Sequence, residues 1–345
     1  MTEAHTASNN GDNVTGDIDV GIYQQQTMLN LYNSGIPIEI IALQVDVSQD
    51  EVENIIQRAK AEEKGRRVVS KQGSDTPSIG MFYLDAVVDT ASVIKDSQTR
   101  IWKALKVKPD FNFSMEETHN VLEKFARSKV NLVILHVDIV ESTRLSMTLP
   151  VNSLATIVQA FVQEMSLMVR AYGGYVLKYI GDAIIAFFIA NPNGGDELSL
   201  PCINAINCAR SMIKVIQQGV NPILDEYDYP EISVRIGIDV GENAVIQTGY
   251  DIQTITAANS NKDNNKKEQQ LIKKPRYDIL SYTLNIATKM TGLVKPNGII
   301  IGQSVYKMLD EEQKTSFEIL SLSTDIWNYF GINTGSIYRL FNQLN

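Results

Sequence analysis

The sequence predicts an α+β chain in which a small all-α module and a helical connector precede one larger domain of sheet and helices. Three observations carry this reading. Hydrophobic residues make up 44% of the 345 residues, enough to build a packed core. Apolar residues recur with helical spacing before residue 129, and strand-like runs alternate with helical stripes after it. The order after Lys129 is strand–helix–strand–strand–helix–strand, which is that of a ferredoxin-like βαββαβ sandwich of helices on a sheet.

Residues 1–16 are polar and read as a loose tail. Residues 17–63 hold two short helical patterns around Gly35 and a turn at Val45–Val47. Ser48 followed by Glu51 is a capping box, opening a helix with Val52, Ile55 and Ile56 on one face. Gly35, Ile40, Ile41, Ala42, Val47, Ser48 and Val52 have helix-turn-helix-like spacing. Residues 1–63 nevertheless contain eleven acidic and two basic side chains, which opposes phosphate contacts and argues against a nucleic-acid partner, favouring docking or dimerisation. Residues 64–128 form a linker and helical connector. Lys64, Arg66, Arg67 and Lys71 make a short basic run, and helices are expected near 85–105 and 115–128, on either side of Pro109.

From 129 to 345 the elements succeed one another closely. NLVILHVD is a buried strand. In the helix that follows, Leu154, Ile157, Val158, Phe161, Met165 and Met168 form one stripe. YVLKY and AIIAFFIA are strands joined by the tight Ile180-Gly181-Asp182 turn. A helix at about 199–218 leads to the strand ISVRIGIDV, expected to pair with NAVIQTG. Residues 252–273 are rich in Asn and Lys and read as an inserted mobile loop. A helix at 278–292, the strand GIIIG, another helix and a closing hairpin end the domain.

Composition excludes several function classes. A net charge of -9 argues against coating nucleic acid or anionic membrane. No apolar run approaches a membrane span, and the first residues lack a signal-peptide layout, so a cytoplasmic protein is expected. Cys202 and Cys208 read as reduced thiols of one helix. His5, His119 and His136 are too scattered for a zinc site.

The chemistry concentrates at strand ends. Asp138 closes the first strand and Asp182 sits in the hairpin turn, and a βαββ arrangement brings these two ends side by side. Paired hard oxygen ligands there suit Mg²⁺ or Mn²⁺ bound with substrate phosphates. Ser142 and Thr143 open a loop running toward a helix, where backbone N–H groups can hold a triphosphate.

Four blocks in order, VDIVEST (137–143), KYIGD (178–182), RIGIDVGE (235–242) and YDILSYTLNIATK (277–289), resemble the motifs of class III adenylyl and guanylyl cyclases. The resemblance implies that Asp138, Asp182 and the backbone carbonyl of Ile139 bind two metal ions per site. One would activate the ribose 3′-hydroxyl and the other would hold the triphosphate. It implies that Lys178 and Asp278 read adenine, that Asn285 orients the ribose, and that the substrate is ATP, converted to cyclic AMP. In this family the metal aspartates and the base-reading residues come from different subunits, so a homodimer is implied.

Three positions depart from that pattern. Lys289 stands where an arginine normally meets the α-phosphate, and loses the planar fork. Glu141 replaces a glycine in the triphosphate loop, and Ser281 replaces a glycine after Asp278. His136, where an aromatic residue is commoner, reads as a core histidine. Gly194-Gly195-Asp196-Glu197-Leu198 imitates a diguanylate cyclase signature, but it lies between a strand and a helix and reads as a polar loop. Two functions follow: an adenylate cyclase controlled by an unknown regulator through its N-terminal module, or a nucleotide-binding domain of low or no activity that regulates that module.

Overall fold

The computed structural model describes residues 28–29, 31–32, 37–45, 47–58, 79–106, 114–190, 198–257, 268–331 and 334–344. The chain divides into two compact units, residues 1–75 and 76–345. In the first, helix α1 (Ile38–Val45) is followed by helix α2 over residues 49–58. The Ser48 hydroxyl accepts the Glu51 N–H at 3.2 Å, which is the cap expected at that start. Met28, Ile41, Ala42, Val52, Ile55 and Ile56 form its core. Gly35, the basic run at 64–71 and the 1–16 tail lie outside the described residues.

In the larger unit, the connector supplies α3 (Thr90–Lys106) and α4 (Glu116–Lys124). Strand β1 (Lys129–Ile139) leads through α5 (Ser142–Thr148) and α6 (Val151–Ala171) to the hairpin β2 (Tyr175–Ile180) and β3 (Ala183–Ile189). Helix α7 (Ser199–Lys214), a π-helical turn (Val215–Val220) and α8 (Asn221–Glu226) precede β4 (Val234–Ala257) and β5 (Glu268–Leu280). Helix α9 (Tyr282–Thr291), β6 (Gly298–Gly302), α10 (Gln303–Met308), α11 (Glu311–Lys314), β7 (Phe317–Leu320) and β8 (Leu340–Gln343) complete it. The sheet order is β2-β3-β1-β4-β6-β8-β7, with β5 on β4. Its first four strands are antiparallel, which is the predicted βαββαβ order.

Side-chain alternation along β1 sorts the core. Val133, Leu135, Val137 and Ile139 face one cluster with Ile157, Phe161, Met165 and Met168 of α6 and the buried, unbridged Cys202 and Cys208 of α7. Leu132 and Ile134 face a second cluster with Val121 of α4 and Ile286, Ala287 and Met290 of α9. Helices therefore cover both faces. Arg100 of α3 fastens the connector to α6 through two 2.7 Å bonds to Glu164, which is only 1% exposed.

The structure corrects four expectations. ISVRIGIDV and NAVIQTG do not fold back on each other but form one continuous β4. Its pairing with β1 ends at Lys129–Ala244, where β5 takes over at Ala244–Leu280. The flanks of the supposed 252–273 loop are strand, paired from Ile252–Lys273 to Ala257–Glu268, while residues 258–267 lie outside the described set. The helix placed at 278–292 starts only at Tyr282, because Ser281 caps it by accepting the Leu284 N–H at 3.0 Å. The helix placed at 199–218 loses α geometry after Lys214. The Gly194–Glu197 stretch falls outside the described residues.

Candidate active site

The metal-binding candidates stand at one end of the sheet. By alternation Asp138 shares the face of Leu132, Ile134 and His136, which is the face covered by α9. The β2–β3 turn uses Gly181 at φ 63, a left-handed conformation that glycine adopts without strain, and Asp182 follows it. Burial pushes the Asp138 carboxyl above the usual range; Arg235 opposes this and the charge of nearby Asp182 adds to it. Two neighbouring carboxylates that repel each other form a hard-oxygen donor set suited to a divalent cation. Among the described residues, no group of three or more His, Cys, Asp or Glu side chains is placed to hold a metal, so Asp138, Asp182 and the Ile139 carbonyl would need oxygens from the substrate to complete the shell.

Arg235, which the sequence reading passed over, belongs to this site. Asp138 lies opposite Arg235 in the β1–β4 register, and the guanidinium Nε and Nη2 each donate to the carboxylate at 3.2 Å. The signal was the first residue of the RIGIDVGE block. Its meaning rests on a pairing across nearly a hundred residues, which no local pattern reveals.

Lys178 and Asp278 meet. The Lys178 ammonium donates to both carboxylate oxygens, at 2.8 and 2.5 Å, and both side chains are about 30% exposed. A bulge between Val176 and Lys178 makes this possible. Strict alternation would put Lys178 on the same face as Val176. The extra residue instead sets Lys178 opposite Ile185, a member of the α9-side cluster. The Asp278 carboxylate also accepts the Ile279 N–H at 2.7 Å, which holds its orientation.

Asn285 and Lys289 lie one turn apart on the exposed side of α9. The Lys289 ammonium sits 5.5 Å from the centre of the Tyr329 ring, within cation–π range. Ser142 and Thr143 are the first residues of α5 rather than part of an open loop, and Glu141 precedes them with φ 54 and ψ 32. The residue replacing the family's glycine thus holds a left-handed conformation that costs a side-chain-bearing residue on the order of 1 kcal/mol. Arg144 donates to the Glu141 carboxylate at 3.2 Å.

His136 is buried, and burial pushes its imidazole down to about 4, with Asp182 opposing and Arg235 adding to the shift. It is neutral at physiological pH, in keeping with a core residue. Asp239 on β4 is fully buried and pushed up to about 7 by that burial, although the Tyr338 hydroxyl donates to it at 2.6 Å.

No protein-family model matches the chain. In sequence it is 28% identical over 180 residues to a protein named cytidylate cyclase from Escherichia coli, covering 52% of this chain and 35% of that protein. To a cytidylate cyclase from Staphylococcus aureus it is 25% identical over 244 residues, covering 69% and 49%. The chain thus spans between about a third and a half of the length of these curated relatives. Among solved structures, the adenylyl cyclase CyaB from P. aeruginosa aligns with a TM-score of 0.46 and 15% identity, covering 63% of this chain and 95% of that one. The chain is therefore similar in sequence to proteins named cyclases, in keeping with the class III nucleotide cyclase resemblance carried by its four motifs.

Proposed function

We propose that this chain is a nucleotide cyclase that closes the ribose 3′-oxygen of a nucleoside triphosphate onto its own α-phosphorus and releases pyrophosphate. The observation that carries the proposal is the pairing of Lys178 with Asp278, a donor beside an acceptor, in a unit that also presents Asp138 and Asp182 at one sheet end. A bound Mg²⁺ or Mn²⁺ pair would supply Lewis acidity at the 3′-hydroxyl and neutralise charge on the phosphates. Asp138, Asp182 and the Ile139 carbonyl would hold that pair. In the bond change, the 3′-O–Pα bond forms, the Pα–O bond to the β-phosphate breaks, and the hydroxyl proton passes to solvent. Asn285 orients the ribose, Lys289 meets charge on the α-phosphate, and Ser142 and Thr143 lie along the triphosphate. Arg235, which donates to the Asp138 carboxylate, lies beside the same site and would be a donor for a phosphate oxygen there.

The base follows from hydrogen-bond chemistry. A lysine donor and a carboxylate acceptor match a ring nitrogen acceptor beside an exocyclic amine. Adenine has that edge, and so does cytosine; guanine and uracil present the reverse. The expectation of ATP from this pair therefore extends to CTP, and the similarity to proteins named cytidylate cyclases favours CTP as the first substrate to test, with ATP second. A homodimer, in which one protomer's carboxylates face its partner's α9, would give two equivalent centres.

The test is purified protein with Mn²⁺ and each of CTP, ATP, GTP and UTP, reading cyclic nucleotide and pyrophosphate. Cyclic CMP or cyclic AMP, absent in Asp138→Ala, is expected. Cyclic GMP or cyclic UMP as the main product would refute the base assignment. A second reading has its own support: Glu141 in a strained phosphate loop and lysine at 289 favour a domain that binds nucleotide without turnover and regulates the 17–63 module. Tight nucleotide binding with no cyclic product would establish it.

A further inference from the structure

His136 is used by none of the steps above, yet its surroundings are built with care. It lies two residues before Asp138 on β1 and is 5% exposed. Its Nδ1 is 3.0 Å from the hydroxyl of Thr291, the last residue of α9. That hydroxyl is 2.7 Å from the Ala287 carbonyl of the same helix. A hydroxyl has one hydrogen, and a carbonyl can only accept, so the Thr291 proton goes to Ala287. The imidazole must then donate Nδ1–H to the Thr291 oxygen, which fixes the tautomer of the ring.

The slot beside this bond is cut for it. In the β1–β4 register His136 lies opposite Gly237. A Cβ at Gly237 would overlap both the Thr291 hydroxyl and the Ala287 carbonyl, so glycine is what lets α9 lie this close to β4. Ala287, Met290 and Thr291 are all fully buried along that contact. The opposite side of the same helix carries Asn285 and Lys289.

We propose that His136 is a positioning residue: through Thr291 it fixes α9, and with it Asn285 and Lys289, against the strand that carries Asp138. The inference rests on the cyclase reading for its catalytic consequence. In a homodimer the bond joins the carboxylates that a protomer gives to one centre with the helix it gives to the other. A displacement at either centre is then passed to its twin through one neutral hydrogen bond.

The experiment compares wild type with His136→Phe, Thr291→Val, their double variant and Thr291→Ser, in full-length protein. Misplacing a catalytic group by a fraction of an ångström lowers kcat by about tenfold or more. Each of the first two variants is expected to show such a loss with KM within about twofold of wild type, since the base reader is untouched. The double variant should be no worse than either single one, because both remove the same bond. Thr291→Ser keeps the oxygen and should restore the rate. Amide hydrogen exchange gives a readout independent of turnover: residues 283–291 should exchange faster in His136→Phe and Thr291→Val, with α6 unchanged. Losses that multiply in the double variant, or unchanged α9 exchange, would overturn the proposal. Faster α9 exchange in the two variants, with no cyclic product from the wild type, would sustain the positioning and refute the cyclase reading alone.

Discussion

Glu141→Gly separates stability from substrate binding at the loop that follows Asp138. Three contributions to stability can be set against each other. Relief of the left-handed backbone at φ 54 is worth on the order of 1 kcal/mol. Glycine gives back roughly 0.5–1 kcal/mol through its freer unfolded chain. The Arg144 partnership is also lost, but the two side chains are 79% and 65% exposed, so it contributes only about 0.3–0.5 kcal/mol. The sum lies near zero, and Tm should move by no more than about 2–4 °C. Binding should change more. A carboxylate ~7 Å from a phosphate charge is repelled by about 0.6 kcal/mol at the dielectric constant of water and about 2.4 kcal/mol at an effective value of 20. The expected outcome is therefore a fall in KM for the nucleotide of about three- to fiftyfold, measured with initial rates at several triphosphate concentrations alongside thermal melts. An unchanged KM would mean that Glu141 does not face the triphosphate. A loss of stability well beyond about 2 kcal/mol would refute the strain argument.

Lys289→Arg should raise kcat about tenfold or less with little change in KM, because the planar fork adds contact to charge that develops only in the transition state; a fall in rate in single-turnover assays would show a site built around lysine. Arg100→Met should cost about 3–5 kcal/mol in denaturant melts by leaving Glu164 buried and unpaired, and the Arg100→Met/Glu164→Leu pair should recover most of it; a single-variant loss under about 1 kcal/mol would mean that water reaches the carboxylate. Asp239 titrates near 3.8 when unfolded and about 7 when folded, so the native state holds the extra proton between these values. Its stability contribution is therefore greatest below about pH 4, declines as pH rises to about 7, and is constant above. The Tm of Asp239→Asn relative to wild type should rise across that window, and a flat difference would place the titration elsewhere.

Much of this architecture was legible because its signals are local. β1, β2, β3 and β6 are short apolar runs bounded by turn residues, and the α6 stripe keeps helical spacing throughout. The Ser48 cap and the Asp182 hairpin turn were also local. What escaped depends on tertiary context. Gly241-Glu242-Asn243 has the composition of a turn, yet Asn243 is fully buried and Gly241 leaves room for Tyr282 and Thr283 of α9. Packing by a helix forty residues away overrode the turn signal. Asp278 reads equally as strand or helix until Ser281 caps the helix behind it. Arg235 and the Thr291 partner of His136 were invisible because each depends on strand register or helix placement. The Lys178–Asp278 pair was named from motif alone, and only the bulge explains how the two side chains share a face.

The continuous β4 also has a consequence for how the chain acquires its site. Asp138 and Arg235 meet only when β1 and β4 pair, closing a loop that contains α6, the β2–β3 hairpin and α7. Such a closure carries a large entropic cost before any contact rewards it, so it belongs late in folding. During synthesis the β2–β3 hairpin and α6 can form while β4 is still being made. β1 then waits with one edge unpaired, and the carboxylate at its end meets no guanidinium until the second half of the domain arrives.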